Sequence, residues 1–320
     1  MPPSLTPLLA PYYIATTHQI AYSRPRRNEP DMRRHPHLYE INARTFVAKM
    51  QAKYRRPVTL DSVPDEEWQQ MARRGFDLVW FMGVWQRSPL GLKIALSNEG
   101  LHREFDRALP DWTPADVAGS PYAVYDYSLD PSLGGAGGLA RLKERVNRAG
   151  MGLVLDFVPN HLALDHPWTL TYPSRFVGGR PGDIKRHPEW FFPTARGIYL
   201  AHGRDPHFAP WHDTVQVNFI SSSLRKALWA ELERISVVCD GVRCDMAMLA
   251  LNEVFGKVWG EVLGKTRPPE AEFWTPAIDA VKAARPQFLF MAEVYWGLDR
   301  RLRELGFDFT YDKSLYDSLR

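Results

Sequence analysis

Three carboxylates in this 320-residue sequence stand where carboxylates are expensive. Asp156 follows the apolar run Leu153-Val154-Leu155, Asp245 closes Gly241-Val242-Arg243-Cys244, and Glu293 comes directly after Phe288-Leu289-Phe290-Met291-Ala292. An ionised side chain beside a buried run costs free energy unless it is paired or faces a site. Any one of them could cap a helix or pair with a surface arginine; three successive runs with the same ending point to a shared site. Arg243 stands two residues before Asp245, so on a strand both side chains leave the same face. An arginine there keeps the carboxylate ionised, lowers its pKa and fixes its orientation, which suits a nucleophile. Glu293, behind its hydrophobic run, is expected to be desolvated and raised toward the working range of a general acid. One carboxylate held charged and another held protonated is what cleavage of a glycosidic bond needs. A separation of about 5–5.5 Å would give retention through a covalent glycosyl-enzyme.

The elements that must position these residues alternate along the chain. Strands are predicted at Leu38–Asn42, Leu78–Met82, Gly152–Val158, Gly241–Asp245, Phe288–Val294 and Phe307–Tyr311. Helical patterns over Pro64–Arg74, Leu139–Ala149, Ser223–Val238 and Trp274–Ala284 fall between them, the first two stopped by Gly75 and Gly150. Strand then helix, with strands apolar on both faces, predicts an α/β fold built on a parallel sheet. The layout alone leaves a doubly wound sheet and a barrel equally open. Two connections are long: Gln86 to Ala118, and His161 to Val215, dense in Pro, Gly, Trp and Phe. Such connections are functional or form a subdomain, and in a βα barrel the loops after the strands lie on the active-site face. Residues 1–35 show no period and read as an N-terminal extension.

Composition narrows the partners. Hydrophobic residues make up 45% of the chain, and 40 basic against 37 acidic residues leave a net charge of +3. That balance offers no broad basic face for nucleic acid or an anionic membrane. The cluster Arg24, Arg26, Arg27, Arg33 and Arg34 is interrupted by Glu29 and Asp31 and reads as a solvated leader. No apolar run of about 18 residues and no signal-peptide pattern occurs, so a cytoplasmic protein without a membrane segment is expected. Cys239 and Cys244 have no CxxC spacing and are expected as reduced core thiols. Gly260 to Thr266 is one residue short of a phosphate loop and follows a helix instead of a strand. His202, His207 and His212 share no helical face, which argues against zinc. Trp112, Trp168, Trp190 and Trp211, in the long connections, suit sugar stacking and core packing equally.

At the three carboxylates the sequence resembles the α-amylase superfamily, glycoside hydrolase family 13. Asp156-Phe157-Val158-Pro159-Asn160-His161 matches the family's Asp-x-Val-x-Asn-His, and Gly241–Asp245 matches its Gly-x-Arg-x-Asp. Met291-Ala292-Glu293-Val294-Tyr295 matches the acid/base segment that ends the fifth strand. Tyr122 to Tyr127, followed by Asp130-Pro131-Ser132-Leu133-Gly134, matches a supporting segment. The resemblance runs from about His37 to Arg320. It implies a (β/α)8 TIM-type barrel over residues 36–320, incomplete in this chain, with a small subdomain over about 162–215 after the third strand. It also implies a retaining α-glycosidase hydrolysing α-linked gluco-oligosaccharides or disaccharides. By that resemblance Asp245 is the nucleophile, Glu293 the acid/base and Arg243 the residue that orients Asp245. Asp156, His161 and Tyr122 would surround the sugar in the −1 position. The expected partner is an α-glucan or α-glucoside, and no cofactor is required. The family often holds calcium near the position of Asn160 with oxygen ligands, although one asparagine does not make a site.

Two features depart from the family pattern. Met248 and Leu249 stand where many amylases carry a Lys-His pair against the leaving-group sugar. They read either as core of the following helix or as an apolar acceptor site, which keeps a transglycosylase or isomerase open. No histidine follows His212, and the aspartates after Glu293 (Asp299, Asp308, Asp312 and Asp317) form no His-Asp signature. Six strands do not close a barrel of eight, and an open sheet edge invites aggregation. The chain is therefore expected to be a fragment of a longer protein, with a non-catalytic carbohydrate-binding fragment as the remaining alternative.

Overall fold

The computed structural model describes residues 33–319. The expected N-terminal extension over 1–35, with Arg24, Arg26 and Arg27, lies outside the described residues except for residues 33–35. Six strands form the framework: β1 (Leu38–Asn42), β2 (Leu78–Met82), β3 (Gly152–Phe157), β4 (Gly241–Cys244), β5 (Leu289–Ala292) and β6 (Phe309–Thr310). They pair in that order and all in parallel. Sequential parallel neighbours joined by helical crossovers form the six-stranded part of a (β/α)8 barrel.

The two faces of the sheet explain why its strands are apolar without alternation. Val79, Phe81, Leu153, Leu155, Val242 and Phe290 pack outward with the helices. Leu78, Trp80, Val154 and Leu289 form a separate inward cluster. Register stacks the inward side chains in layers, with Trp80 beside Val154, Val154 beside Gly241 and Gly241 beside Leu289. A Cβ at Gly241 would come within 2.8 Å of Leu289 Cβ, so this layer closes only with glycine there. The next layer toward the strand ends aligns Asp156, Arg243, Met291 and Phe309. The polar site thus rests directly on an apolar floor.

The crossover helices follow from their spacing. Leu139, Leu142 and Val146 are the buried stripe of Gly138–Arg148, and Leu224, Leu228, Leu232 and Ile235 that of Ser222–Val238. The connection Gln86–Ala118 differs from the loop expected. It contains helices Pro89–Ser97 and Glu99–Ala108, started by Ser88 accepting from Gly91 N–H (2.7 Å) and Asn98 accepting from Gly100 N–H (2.9 Å). Beside them, Trp85–Arg87 pairs antiparallel with Val124–Leu129. The His161–Val215 connection is tied at its base by pairing of His161–Ala163 with Thr214–Gln216, and carries a second ribbon, Phe191–Pro193 with Tyr199–Ala201. No helix among the described residues is long and apolar enough to cross a membrane.

Candidate active site

Backbone ladders hold the two terminal carboxylates in place. Asp245 N–H donates to Phe157 O at 2.8 Å, and Glu293 N–H donates to Cys244 O at 3.0 Å. Immediately beyond, the chain turns away through Met246 (φ 43°) and Trp296 (φ 62°). Left-handed backbone at non-glycine residues is strained and concentrates at functional sites.

Arg243 is the centre of the constellation. Its Nη1 lies 2.7 Å from Asp245 Oδ1 and 3.3 Å from Asp156 Oδ1, its Nη2 lies 2.8 Å from Glu293 Oε2, and its Nε donates to the Tyr311 hydroxyl at 3.1 Å. Trp80, Tyr122 and Tyr311 wall the guanidinium, with ring centroids 5.0, 5.2 and 5.7 Å away. Exposure is 4% for Arg243, 2% for Asp156, 5% for Asp245 and 8% for Glu293. Glu293 is fixed at both oxygens: Tyr295 donates its hydroxyl to Oε1 at 2.7 Å and Met246 its N–H to Oε2 at 2.8 Å.

One guanidinium cannot neutralise three buried carboxylates, so protons are retained. Burial, reinforced by Asp245 and opposed by Arg243, pushes the Asp156 carboxyl up to about 7. Burial and then Asp245 raise Glu293 against the pull of Arg243. Burial works against the charge of Arg243, but the three carboxylates outweigh it and hold the guanidinium protonated. Asp156 Oδ2 and Trp80 Nε1 are both buried and make no hydrogen bond of good geometry among the described residues, although the indole stands near enough to the carboxylate to ease its charge. An orphaned carboxylate oxygen in such a site is free to accept from a ligand hydroxyl.

No protein-family model matches the chain. The α-1,4-glucan:maltose-1-phosphate maltosyltransferase of Myxococcus xanthus is 26% identical over 204 residues, 62% of this chain and 26% of that protein. The α-amylase MalA of Haloarcula japonica is 23% identical over 284 residues, 88% of this chain and 33% of that protein. An α-amylase structure from Lactobacillus plantarum superposes with a TM-score of 0.53 at 23% identity, covering 89% of this chain and 51% of that one.

The strands and helices superpose on the barrel of that α-amylase, which gives the fold. The chain spans about a fifth to a third of the length of the curated relatives it matches. Within this barrel, the residues expected from sequence fall into two groups. Asp156, Arg243, Asp245, Glu293 and Tyr122 converge. His161 and Asn160 sit in a neighbouring network. Asn160 Nδ2 faces His161 Nδ1 and Gln216 Oε1, each at 3.4 Å, and Gln216 Nε2 donates to Asn160 Oδ1 (3.0 Å) and Asn160 O (2.9 Å). Burial lowers the His161 imidazole to about 4, and its ring packs 4.9 Å from Trp211. No group of three His, Cys, Asp or Glu among the described residues could hold a metal ion.

Met248 and Leu249 are buried in the core within the turn Ala247–Ala250, so they line no acceptor site. The three spaced histidines separate: His202 and His212 lie 5.1 Å apart, whereas His207 packs on Trp296 at 5.0 Å. Trp190 is sandwiched between His187 at 3.8 Å and the Arg204 guanidinium at 3.7 Å, a packing role. Sequence reading passed over Tyr311, Tyr295, Trp80 and Gln216. The one available signal for Tyr311 was its place at the C-terminal end of the sixth apolar run.

Proposed function

We propose that the protein is a retaining α-glycosidase acting on α-linked gluco-oligosaccharides or disaccharides, with Asp245 as nucleophile and Glu293 as acid/base. The observation that carries this reading is the single guanidinium that grips Asp245 and Glu293 on separate prongs. A shared guanidinium keeps the two carboxylates close, which favours the retaining spacing of about 5–5.5 Å over the inverting one of about 6.5–9.5 Å. Two donors already occupy Glu293 Oε2, so the proton of its acid form belongs on Oε1 beside the Tyr295 hydroxyl.

In the first step Glu293 gives that proton to the glycosidic oxygen as the bond to the anomeric carbon breaks. Asp245, its charge steadied by Arg243, forms the new bond to that carbon and holds the sugar as an ester. Asp156 accepts from a sugar hydroxyl through its free oxygen, and Tyr122 faces the ring. In the second step Glu293 takes a proton from water, which attacks the anomeric carbon and releases Asp245. Initial product stereochemistry tests the reading: the α-anomer is expected, and β-product would overturn it.

A transglycosylase is the second reading, favoured by relatives named as maltosyltransferases at 26%, 24% and 25% identity. There an acceptor sugar replaces water in the second step. Product profiles with and without added maltose separate the two. Transfer products that dominate at low millimolar acceptor would assign transfer, and unchanged hydrolysis would assign hydrolysis.

A further inference from the structure

A cavity of about 720 Å³ opens beside the end of β1, and none of Arg243, Asp245 or Glu293 lines it. Helix Ala43–Tyr54 forms one wall, and the two helices of the Gln86–Ala118 connection form the other. Its surface is mostly apolar, with Phe105 and Trp112 presenting aromatic rings, and its size is that of a small-molecule site. Set into this surface are two arginines, Arg44 and Arg87.

Neither arginine has the partner its charge calls for. Arg44 reaches only Ala115 O at 3.4 Å, and Arg87 only Gly119 O at 3.4 Å and Gly83 O at 3.5 Å. These contacts sit at the weak end of hydrogen bonding, and no carboxylate among the described residues lies within ion-pair distance of either guanidinium, although Arg44 feels the charge of Asp116 and Arg87 that of Asp130. Burial, and then the like charge of Arg44, lower the Arg87 pKa. The arrangement is nevertheless held in place. Gly83 is left-handed (φ 78°), and a Cβ there would lie 2.8 Å from Arg87 Nη2, so the backbone packs against the guanidinium. The first turn of Ala43–Tyr54 also faces the cavity, with Asn42, Arg44 and Thr45 on its wall. Asn42 caps that turn by accepting from Thr45 N–H at 3.2 Å, so the guanidiniums are the groups left for an anion. Two guanidiniums on the wall of one cavity, near enough for the charge of one to act on the other, match a phosphate dianion better than a carboxylate. The aromatic faces and the nearby Asn98 and Asp116 suit the body of a sugar.

We propose that this cavity binds a phosphorylated sugar, with the phosphate on Arg44 and Arg87 and the ring against Trp112. The site is independent of the Asp245–Glu293 chemistry, and its test needs no turnover. Isothermal titration of the protein, and of its Asp245→Asn variant, with glucose 6-phosphate, glucose, inorganic phosphate and glucuronate reads it directly. Glucose 6-phosphate should bind at least about tenfold more tightly than the other three in both proteins. Arg44→Met and Arg87→Met should each weaken that binding about tenfold or more, with circular dichroism unchanged. If Arg87→Met fails to fold, Arg44→Met alone decides. Equal affinity for glucose and its 6-phosphate, or affinity indifferent to Arg44→Met, would overturn the proposal. Inorganic phosphate binding as tightly as the ester, or glucuronate binding more tightly, would overturn the assignment to a sugar phosphate.

Discussion

The backbone N–H of Met246 donates to Glu293 Oε2 at 2.8 Å, so the residue following one carboxylate anchors the other. Met246 can do this because its backbone is left-handed (φ 43°), which turns its N–H across to the neighbouring strand end. The two proposed catalytic groups are therefore fixed to each other through β4 and β5 as well as through Arg243. Their roles still differ, and the difference can be measured.

Asp245→Asn should lower kcat by at least about 10³-fold on every glycoside, because no nucleophile remains. Glu293→Gln should be as damaging with a natural glycoside, whose leaving group needs a proton. With an α-glucosyl fluoride, which needs none, Glu293→Gln should recover much of the first step. Steady-state and burst kinetics on both substrates check this; equal losses in both variants on the fluoride would contradict the assignment.

With Glu293 as the proposed acid, its raised pKa is expected to set the alkaline limit of activity. A general acid must be protonated, so activity should fall as pH rises through that raised value. Burial is the first cause of the rise, and the Tyr295 hydroxyl opposes it by stabilising the carboxylate. Tyr295→Phe should therefore move the alkaline limb of kcat/KM upward by about 0.5–1 pH unit, the size expected from one hydrogen bond. A downward shift would contradict the account.

Tyr311 accepts from Arg243 Nε at 3.1 Å and is proposed as a positioning residue. Tyr311→Phe should leave the fold intact and lower kcat about 10- to 100-fold, the equivalent of one hydrogen bond to a charged group, with little change in KM. Loss confined to KM would place Tyr311 at the substrate instead.

Asp156 makes a stability prediction whose sign is fixed. Its carboxyl titrates near 7 when folded, against about 3.9 unfolded. The folded state therefore binds that proton more tightly, and the associated stability is present below about pH 4 and lost as pH rises through 7. Asp156→Asn removes the dependence. Its Tm relative to the unsubstituted protein should rise between pH 5 and pH 8, and a fall would contradict the buried, raised carboxyl.

The parallel α/β sheet was legible because its strands are buried on both faces: Leu153-Val154-Leu155 and Leu289-Phe290-Met291 leave no alternation to mistake for an exposed sheet, whereas the choice of a barrel over a doubly wound sheet came only from the family resemblance. The converging carboxylates were legible because each ends such a run. The helices Pro89–Ser97 and Glu99–Ala108 were hidden by the prolines and tryptophans around them, although Ser88 and Asn98 are ordinary helix starts. Tyr311 and Gln216 could not be found from spacing, because their partners Arg243 and Asn160 lie on other strands and loops and only the folded register brings them together. Tyr295 stands two residues after Glu293, but only the turn of the chain there brings its hydroxyl back to the carboxylate. For Met248 and Leu249, the sequence left core and acceptor site open, and burial in the turn after Asp245 decided for the core.

The covalent intermediate is the central claim, and trapping it is the most direct test. The protein is incubated with 5-fluoro-α-D-glucosyl fluoride, quenched in acid and digested, and its peptides are mapped by mass spectrometry. The account predicts one fluoroglucosyl adduct on the carboxylate of Asp245, absent from Asp245→Asn. An adduct on Glu293 or Asp156, or turnover of the reagent with no adduct on any carboxylate, would contradict it.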